Sequence, residues 1–324
     1  MHETAWMHKA WVLDRGGGGR SLTPEETARW TSADGPLFVV LDRESERARE
    51  WLTGVARLPA VLVESLLAQE ARPRCSIRPE GLMVMLRGVN LNPGADPDDM
   101  VTVRGWFDEH RAILLRGRRV YAIEDLREQI KEGVGPRRTG ELLVRLSQLV
   151  ADRIAECVGE STEQVDALED RVPTERDGVL RTELAELRRQ AMTLRRYCAP
   201  QRDALSRLMV EPLALLTDSD RLHLRETVEE LTHAVEDLDL TRERAAIAQE
   251  HLMARTSERL ARSTYRLSAA ASIFLPLSLL VGLLGANVAG IPLAEHPRAF
   301  WFVVGMLALI GGGMTAIFRW RGWL

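Results

Sequence analysis

The apolar residues of the chain change period twice. Up to about residue 120 they fall in short, β-branched or alternating runs. Trp11-Val12-Leu13 and Pro36–Asp42 (PLFVVLD) predict strands, the second a buried one. Arg74–Arg78, Gly81–Val89, Met100–Asp108 and Ala112–Arg116 predict a β-meander, because turn residues separate the runs. Two helices are expected among these strands, Glu44–Gly54 and Pro59–Gln69. The second opens on Pro and places Val61, Leu62, Leu66 and Leu67 on one side. Residues 1–35 offer little else. The four glycines Gly16–Gly19 predict a flexible turn, since the Lys-Ser/Thr helix start of a phosphate cradle does not follow.

From Tyr121 the spacing becomes helical. Leu143, Leu146, Val150, Ile154, Cys157, Val165, Leu168 and Val172 recur in steps that predict an amphipathic helix over Gly140–Val172. Pro173–Gly178 breaks it, and Val179–Cys198 predicts the next helix, rich in Arg on its polar side. Strands followed by helices predict an α+β domain whose helices cover a mainly antiparallel sheet. Thr217–Arg266 contains no Gly or Pro. Leu224, Val228, Leu231, Val235 and Leu238 form a heptad seam, which continues through Arg242, Ala245, Gln249 and Leu252. Thr217 to about Gly285 is therefore expected to be one stalk helix about 100 Å long.

The third regime is continuous. Leu267–Leu293 carries no charge, and a second uncharged run, Ala299–Phe318, follows a short linker. Roughly 20 apolar residues span a bilayer core, so the two runs predict a membrane hairpin. The expected organisation is 1–140, a cytoplasmic α/β domain; 141–216, its helical part; 217–266, the stalk; and 267–324, two transmembrane helices. Arg255, Arg259, Arg262 and Arg266 precede the first span and Arg319 and Arg321 follow the second. The linker offers only Arg298, offset by Glu295. This bias places both termini in the cytoplasm of an inner-membrane protein, with Trp301, Trp320 and Trp323 as interfacial anchors.

Composition removes other classes. A net charge of −4 over 324 residues gives no nucleic-acid footprint. Cys75, Cys157 and Cys198 lack metal-ligand spacing and suit reduced packing thiols. The N-terminal residues Glu3, Lys9 and Asp14 do not suit a cleaved signal peptide. No nucleophile–base pair or metal-ligand cluster stands out, so neither an enzyme nor a resident cofactor is expected. In the turn Asn90–Asp99, Asp96, Asp98 and Asp99 are chemically able to bind a hard cation but lack calcium-loop spacing and read as a solvated hairpin turn; the arginines of Arg116–Arg119 read as a solvated loop.

Two helices cannot enclose an ion path, so a pore needs an oligomer. With Asn287 facing an axis, Gly282, Ser278, Leu275, Ala271 and Leu267 share its side of the first span. That face is mostly small; it allows tight helix packing in lipid or a narrow pore with leucine constrictions. Ile273, Leu277, Leu280, Val281 and Leu284 make the other face bulky. Gly285-Ala286-Asn287 either ends the helix or forms a ring of amides and carbonyls at the outer end. Such a ring binds a cation through its water shell and offers no soft ligand for Zn²⁺. Glu295 and His296 would lie at the mouth, as a solvated loop or as a ring that concentrates cations and responds to pH. Glu226, Glu229, Glu230, Glu236, Asp237 and Asp239 form an acidic block without Lys or Arg between them. It reads as a solvated face or as stacked carboxylate rings.

Three stretches carry a family resemblance. IFLPLSLLVGLLGANVAGIP (Ile273–Pro292) includes a Gly-x-Asn signature at Gly285–Asn287. LRGVNLNPGADPDDM (Leu86–Met100) and LRRQAMTLRRYCAPQRDAL (Leu187–Leu205) support it. The chain resembles the CorA superfamily of divalent-cation transporters, in its ZntB zinc-transporter branch. The resemblance implies a homopentameric funnel in the lipid bilayer, with the first spans lining the pore and Gly285, Ala286 and Asn287 as the selectivity element. It implies transport of divalent metal cations, Zn²⁺ foremost with Cd²⁺, Ni²⁺ or Co²⁺ as further cargo, and protons as a coupling partner. Ala286 stands where the magnesium branch has Met, and Glu295-His296-Pro297 is not typical of the zinc branch. A Mg²⁺/Co²⁺ channel of the same architecture is the alternative. A membrane-anchored coiled-coil sensor is disfavoured, because Ala294–Arg298 is too short to carry a ligand domain.

Overall fold

The computed structural model describes residues 6–69, 72–174, 177–285 and 297–321. The chain forms two compact units, 1–249 and 250–324. The first is built on a seven-stranded sheet of order β2-β1-β3-β7-β6-β5-β4. Its strands are β1 (Met7–Leu13), β2 (Gly19–Ser21), β3 (Leu37–Asp42), β4 (Arg74–Arg78), β5 (Gly81–Gly88), β6 (Val101–Phe107) and β7 (Arg111–Arg116). The meander β4 to β7 runs as its turn residues predict. The sheet as a whole is mixed, because β3 lies parallel to β7, pairing Phe38 with Ala112 and Val40 with Leu114. Both are near-continuous apolar runs, which suits central strands covered on two faces.

One face of the sheet is covered by α2 (Glu46–Gly54) and α3 (Ala60–Leu67). There Val39, Leu41, Met85, Trp106 and Leu115 form a core with Trp51, Leu52, Leu62 and Leu66. The other face is packed by α4 (Tyr121–Lys131), α5 (Thr139–Arg171) and α6 (Asp177–Val210), and the first turns of α7 (Asp218–Leu284) join the same core. Its core joins Phe38, Val40, Val84 and Leu114 to Leu126, Leu143, Leu194 and Leu231. Strand alternation thus supplies two cores, and the domain is a three-layer sandwich.

Two elements near the N-terminus escaped the pattern. The helix α1 (Pro24–Arg29) starts from a capping box in which the Thr23 hydroxyl accepts from Glu26 N and the Glu26 carboxylate accepts from Thr23 N. The motif Thr-Pro-Glu-Glu announces it, with Pro at the first helical position. The glycine tract is not a loose turn. Asp14 Oδ1 accepts from the N–H groups of Gly16 and Gly18 at 2.7 and 2.8 Å, closing the β1–β2 hairpin. Gly17 adopts φ 100°, and a Cβ there would meet Gly133 O at 2.8 Å.

The helix α7 has 67 residues, about 100 Å of helix. Its predicted seam holds as far as Leu238: Leu224, Val228, Leu231, Val235 and Leu238 are buried in the core shared with α5 and α6. Beyond that point the buried stripe passes through Thr241, Ala245, Ala248 and Leu252. Arg242 is exposed and lies 3.6 Å from Asp239, and Gln249 is only half-buried. Burying an unpaired guanidinium is costly, and one step along the helix Thr241 and Ala248 fit instead. Ion pairs bind the helices further: Arg195 to Asp239 at 2.6 Å, Arg171 to Glu183 at 2.6 Å, and Arg244 to Asp166 and Glu169, each at 2.5 Å.

In the second unit α7 continues to Leu284 and α8 spans Ala299–Trp320. Both contain stretches long and apolar enough to cross a bilayer. Trp301 and Trp320 stand exposed near the ends of α8.

Candidate transport pathway

The candidate pathway residues lie on the last turns of α7. Leu267 and Leu275 are 70% and 71% exposed, and Ala271, Ser278 and Gly282 are exposed beside them. On the other side of the helix Ile273, Leu277, Leu280 and Leu284 are partly covered. Gly311 of α8 approaches there: a Cβ on it would lie 3.4 Å from Leu277 Cδ1. The small face and the face towards α8 are therefore different sides of one helix. The expected selectivity residues Ala286 and Asn287, the expected mouth residues Glu295 and His296, and the expected anchor Trp323 lie outside the described residues.

Two features of this segment bear on its chemistry. Pro276 sits inside the helix and has no N–H, which leaves the Ser272 carbonyl without its usual donor. The hydroxyl of Ser272 donates to Ser268 O at 2.8 Å, and Thr315 of α8 donates to Gly311 O at 2.7 Å. Hydroxyls satisfied within their own helix carry little penalty in lipid. Pro276 was in plain view within the apolar run, and its freed carbonyl is a polar group that counting side chains alone overlooks.

The acidic block divides. Glu226, Glu229, Glu236 and Asp237 are exposed. Asp239 is held by Arg195, and Glu230 is half-buried facing Asp152 of α5. Burial first, and then the Asp152 carboxylate, push the Glu230 carboxyl above the ordinary glutamate range. The sequence pattern could not distinguish these two from their neighbours, because their partners are some forty to eighty residues distant.

The turn Asn90–Asp99 is also more than solvated. Asp98 is 7% exposed and accepts from Arg189 of α6 at 2.9 Å; Asp99 pairs with Arg118. Among the described residues no group of three or more His, Cys, Asp or Glu could hold a metal ion. The thiols are unsuited as well, since burial pushes Cys75 and Cys198 up to about 12 and Cys157 to about 11.

A family profile described as "CorA-like Mg2+ transporter protein" matches residues 33–320. The chain belongs to the CorA-like transporter family. This CorA-like chain is 38% identical over 322 residues to the Pseudomonas aeruginosa "Divalent cation transporter CmaX", covering 96% of the chain and 93% of that protein. The solved structure of full-length CmaX superposes with a TM-score of 0.84 and 36% identity, covering 97% of each chain. A "Zinc transport protein ZntB" of Pectobacterium atrosepticum is 32% identical over 320 residues, covering 97% of this chain and 95% of that one. The CorA magnesium transporter of Methanocaldococcus jannaschii shares the fold at a TM-score of 0.85 and 17% identity, covering 97% and 98%. The expected CorA-like fold of a mixed domain, long helix and two apolar C-terminal helices is thus observed.

Proposed function

We propose that this chain carries divalent metal cations across the inner membrane through a homopentameric pore lined by the last turns of α7. The observation that carries the reading is the small, uncharged, exposed face Leu267–Gly282 on a family member whose relatives match it nearly end to end. Five such faces around an axis would give a narrow pore without carboxylate, imidazole or thiolate, through which a dication keeps much of its water. Gly285, Ala286 and Asn287 would form the outer selectivity ring, and Glu295 and His296 its mouth. Both termini would face the cytoplasm. Zn²⁺ is the preferred cargo, supported by the ZntB relatives, with protons as the coupling ion. The second reading is Mg²⁺, which the description of the family favours.

The test is flux into proteoliposomes holding the purified chain, comparing Zn²⁺ with Mg²⁺, with and without a pH gradient. Asn287→Ala is expected to abolish most uptake while leaving the oligomer intact. Uptake equal to that of the parent would remove the selectivity role, and faster Mg²⁺ than Zn²⁺ flux would move the assignment to the second reading.

A further inference from the structure

Among the described residues of the sheet domain one buried cation has no carboxylate partner. Arg104 of β6 is 2% exposed. Its Nη1 and Nη2 donate to the carbonyls of Leu66 and Gln69, at 3.0 and 3.1 Å, at the C-terminal end of α3. These carbonyls bear only the partial charge of a helix end. The Nε of Arg104 is buried without a hydrogen-bond partner. Among the described residues no salt bridge reaches this guanidinium. Burial, followed by the charges of Arg43, Arg87 and Arg74, brings it down to about 10. Like charges crowd it.

A polar cavity of about 290 Å³ opens beside Arg104. It lies where β3 and β7 end, and the crevice outside the carboxyl ends of parallel strands is where open α/β sheets take ligands. Its wall carries Arg43, Arg87, Arg104 and Arg118 against Glu44 and Asp99. Arg43 pairs with Glu44 at 2.7 Å and Arg118 with Asp99 at 2.5 Å. Arg87 donates to Met100 O at 2.8 Å and lies 4.7 Å from the Tyr197 ring centre. Among the described residues four guanidinium groups thus meet two carboxylates around one small space.

We propose that this arginine-lined cavity binds a phosphate-bearing anion. A phosphate dianion matches the surplus charge, and guanidinium forks match its oxygens two at a time. The volume lies at the lower end for ligand sites and suits a phosphate with a small attached group. Inorganic phosphate and a phosphomonoester share the recognised chemistry. A metal cation is repelled here, so the site is separate from the cargo path and does not rest on the transport reading.

The experiment is thermal unfolding of the full-length purified chain in detergent at constant ionic strength. Inorganic phosphate, ribose 5-phosphate and chloride are titrated in turn. Either phosphate compound is expected to raise the melting temperature saturably, while chloride does not; the tighter of the two identifies the source. Arg43→Gln and Arg118→Gln leave the Arg104 contacts to α3 in place. Each is expected to weaken phosphate binding about tenfold, the loss of one charged hydrogen bond. Arg20→Gln, on the distant strand β2, should bind like the parent. No saturable shift with either phosphate compound, or an equal shift in the parent and both pocket variants, overturns the site.

Discussion

Replacing Asp220 by Ala is expected to destabilise the folded chain by about 2–3 kcal/mol. Its Oδ2 closes the N-terminus of α7, accepting from Thr217 N at 2.8 Å, Thr217 Oγ1 at 2.7 Å and Arg138 Nη2 at 2.9 Å. In return Thr217 Oγ1 accepts from Asp220 N at 3.3 Å. The reciprocal cap is worth about 1 kcal/mol. The carboxylate is 6% exposed and Arg138 45%, so the charged bond falls in the lower part of its range, about 1.5–3 kcal/mol. Asp218 is the control. It is exposed in the same first turn, so Asp218→Ala should lose only the interaction with the helix end, about 0.3–1 kcal/mol.

The pH dependence has a definite sign. Burial raises the Asp220 pKa, but the bonds from Thr217 and Arg138 outweigh it and hold the carboxyl below the ordinary aspartate value. Its stabilising contribution is then complete above the unfolded-state pKa, about 3.9, and is lost as pH falls through the lower folded-state value. The gap between parent and Asp220→Asn should close in that acid window. Denaturant unfolding followed by circular dichroism measures both effects. If Asp220→Ala unfolds with the same midpoint as Asp218→Ala, the capping argument fails.

Two further outcomes follow from contacts of α5. Glu230, whose folded-state pKa is raised, loses stability as pH climbs from the ordinary glutamate value through the raised one. Glu230→Gln should therefore be the more stable chain at pH 7 and equal to the parent in acid, and a less stable variant at neutral pH would refute the pairing with Asp152. Gly140→Ala would place a Cβ 2.0 Å from Leu215 O, a backbone atom, and should cost about 1–3 kcal/mol or more. Gly159→Ala, in the same helix with nothing within 4 Å, should gain up to about 1 kcal/mol. Equal midpoints for the two alanine variants would count against the close approach at Gly140.

Periodicity located most of the elements because each regime buries one face. The meander appears within a residue or two of its predicted strands, and α7 begins just after Thr217 as the absence of Gly and Pro suggested. What escaped depends on distant partners. The parallel pairing of β3 with β7 joins residues about seventy positions apart, and an apolar run does not name its neighbour. The strict heptad put Arg242 on the seam, whereas the packed helices bury Thr241. For the candidate transport path, the small face near the end of α7 was legible as a face, since helical spacing alone defines it. The covering of the opposite, bulky face by α8 was not legible, because lipid-facing and helix-facing residues share one composition. The arginine pocket was scattered over β3, β5, β6 and the loop after β7. Of its arginines only Arg118 stands in a run of like residues, Arg116–Arg119.

The pairing of β3 with β7 also sets an order of assembly. Until Arg116 has been made, the apolar run Leu37–Asp42 lacks its parallel partner and the sheet is two separate pieces. Such an exposed edge invites association with other chains, and non-local pairing is slow. The first apolar span begins about 150 residues later, near Leu267. At roughly 5–20 residues per second the ribosome takes about 8–30 seconds over that interval. That is ample for pairing on the millisecond-to-second scale. The sandwich can thus close its vulnerable middle while the chain is still being made, before either hydrophobic segment reaches the membrane.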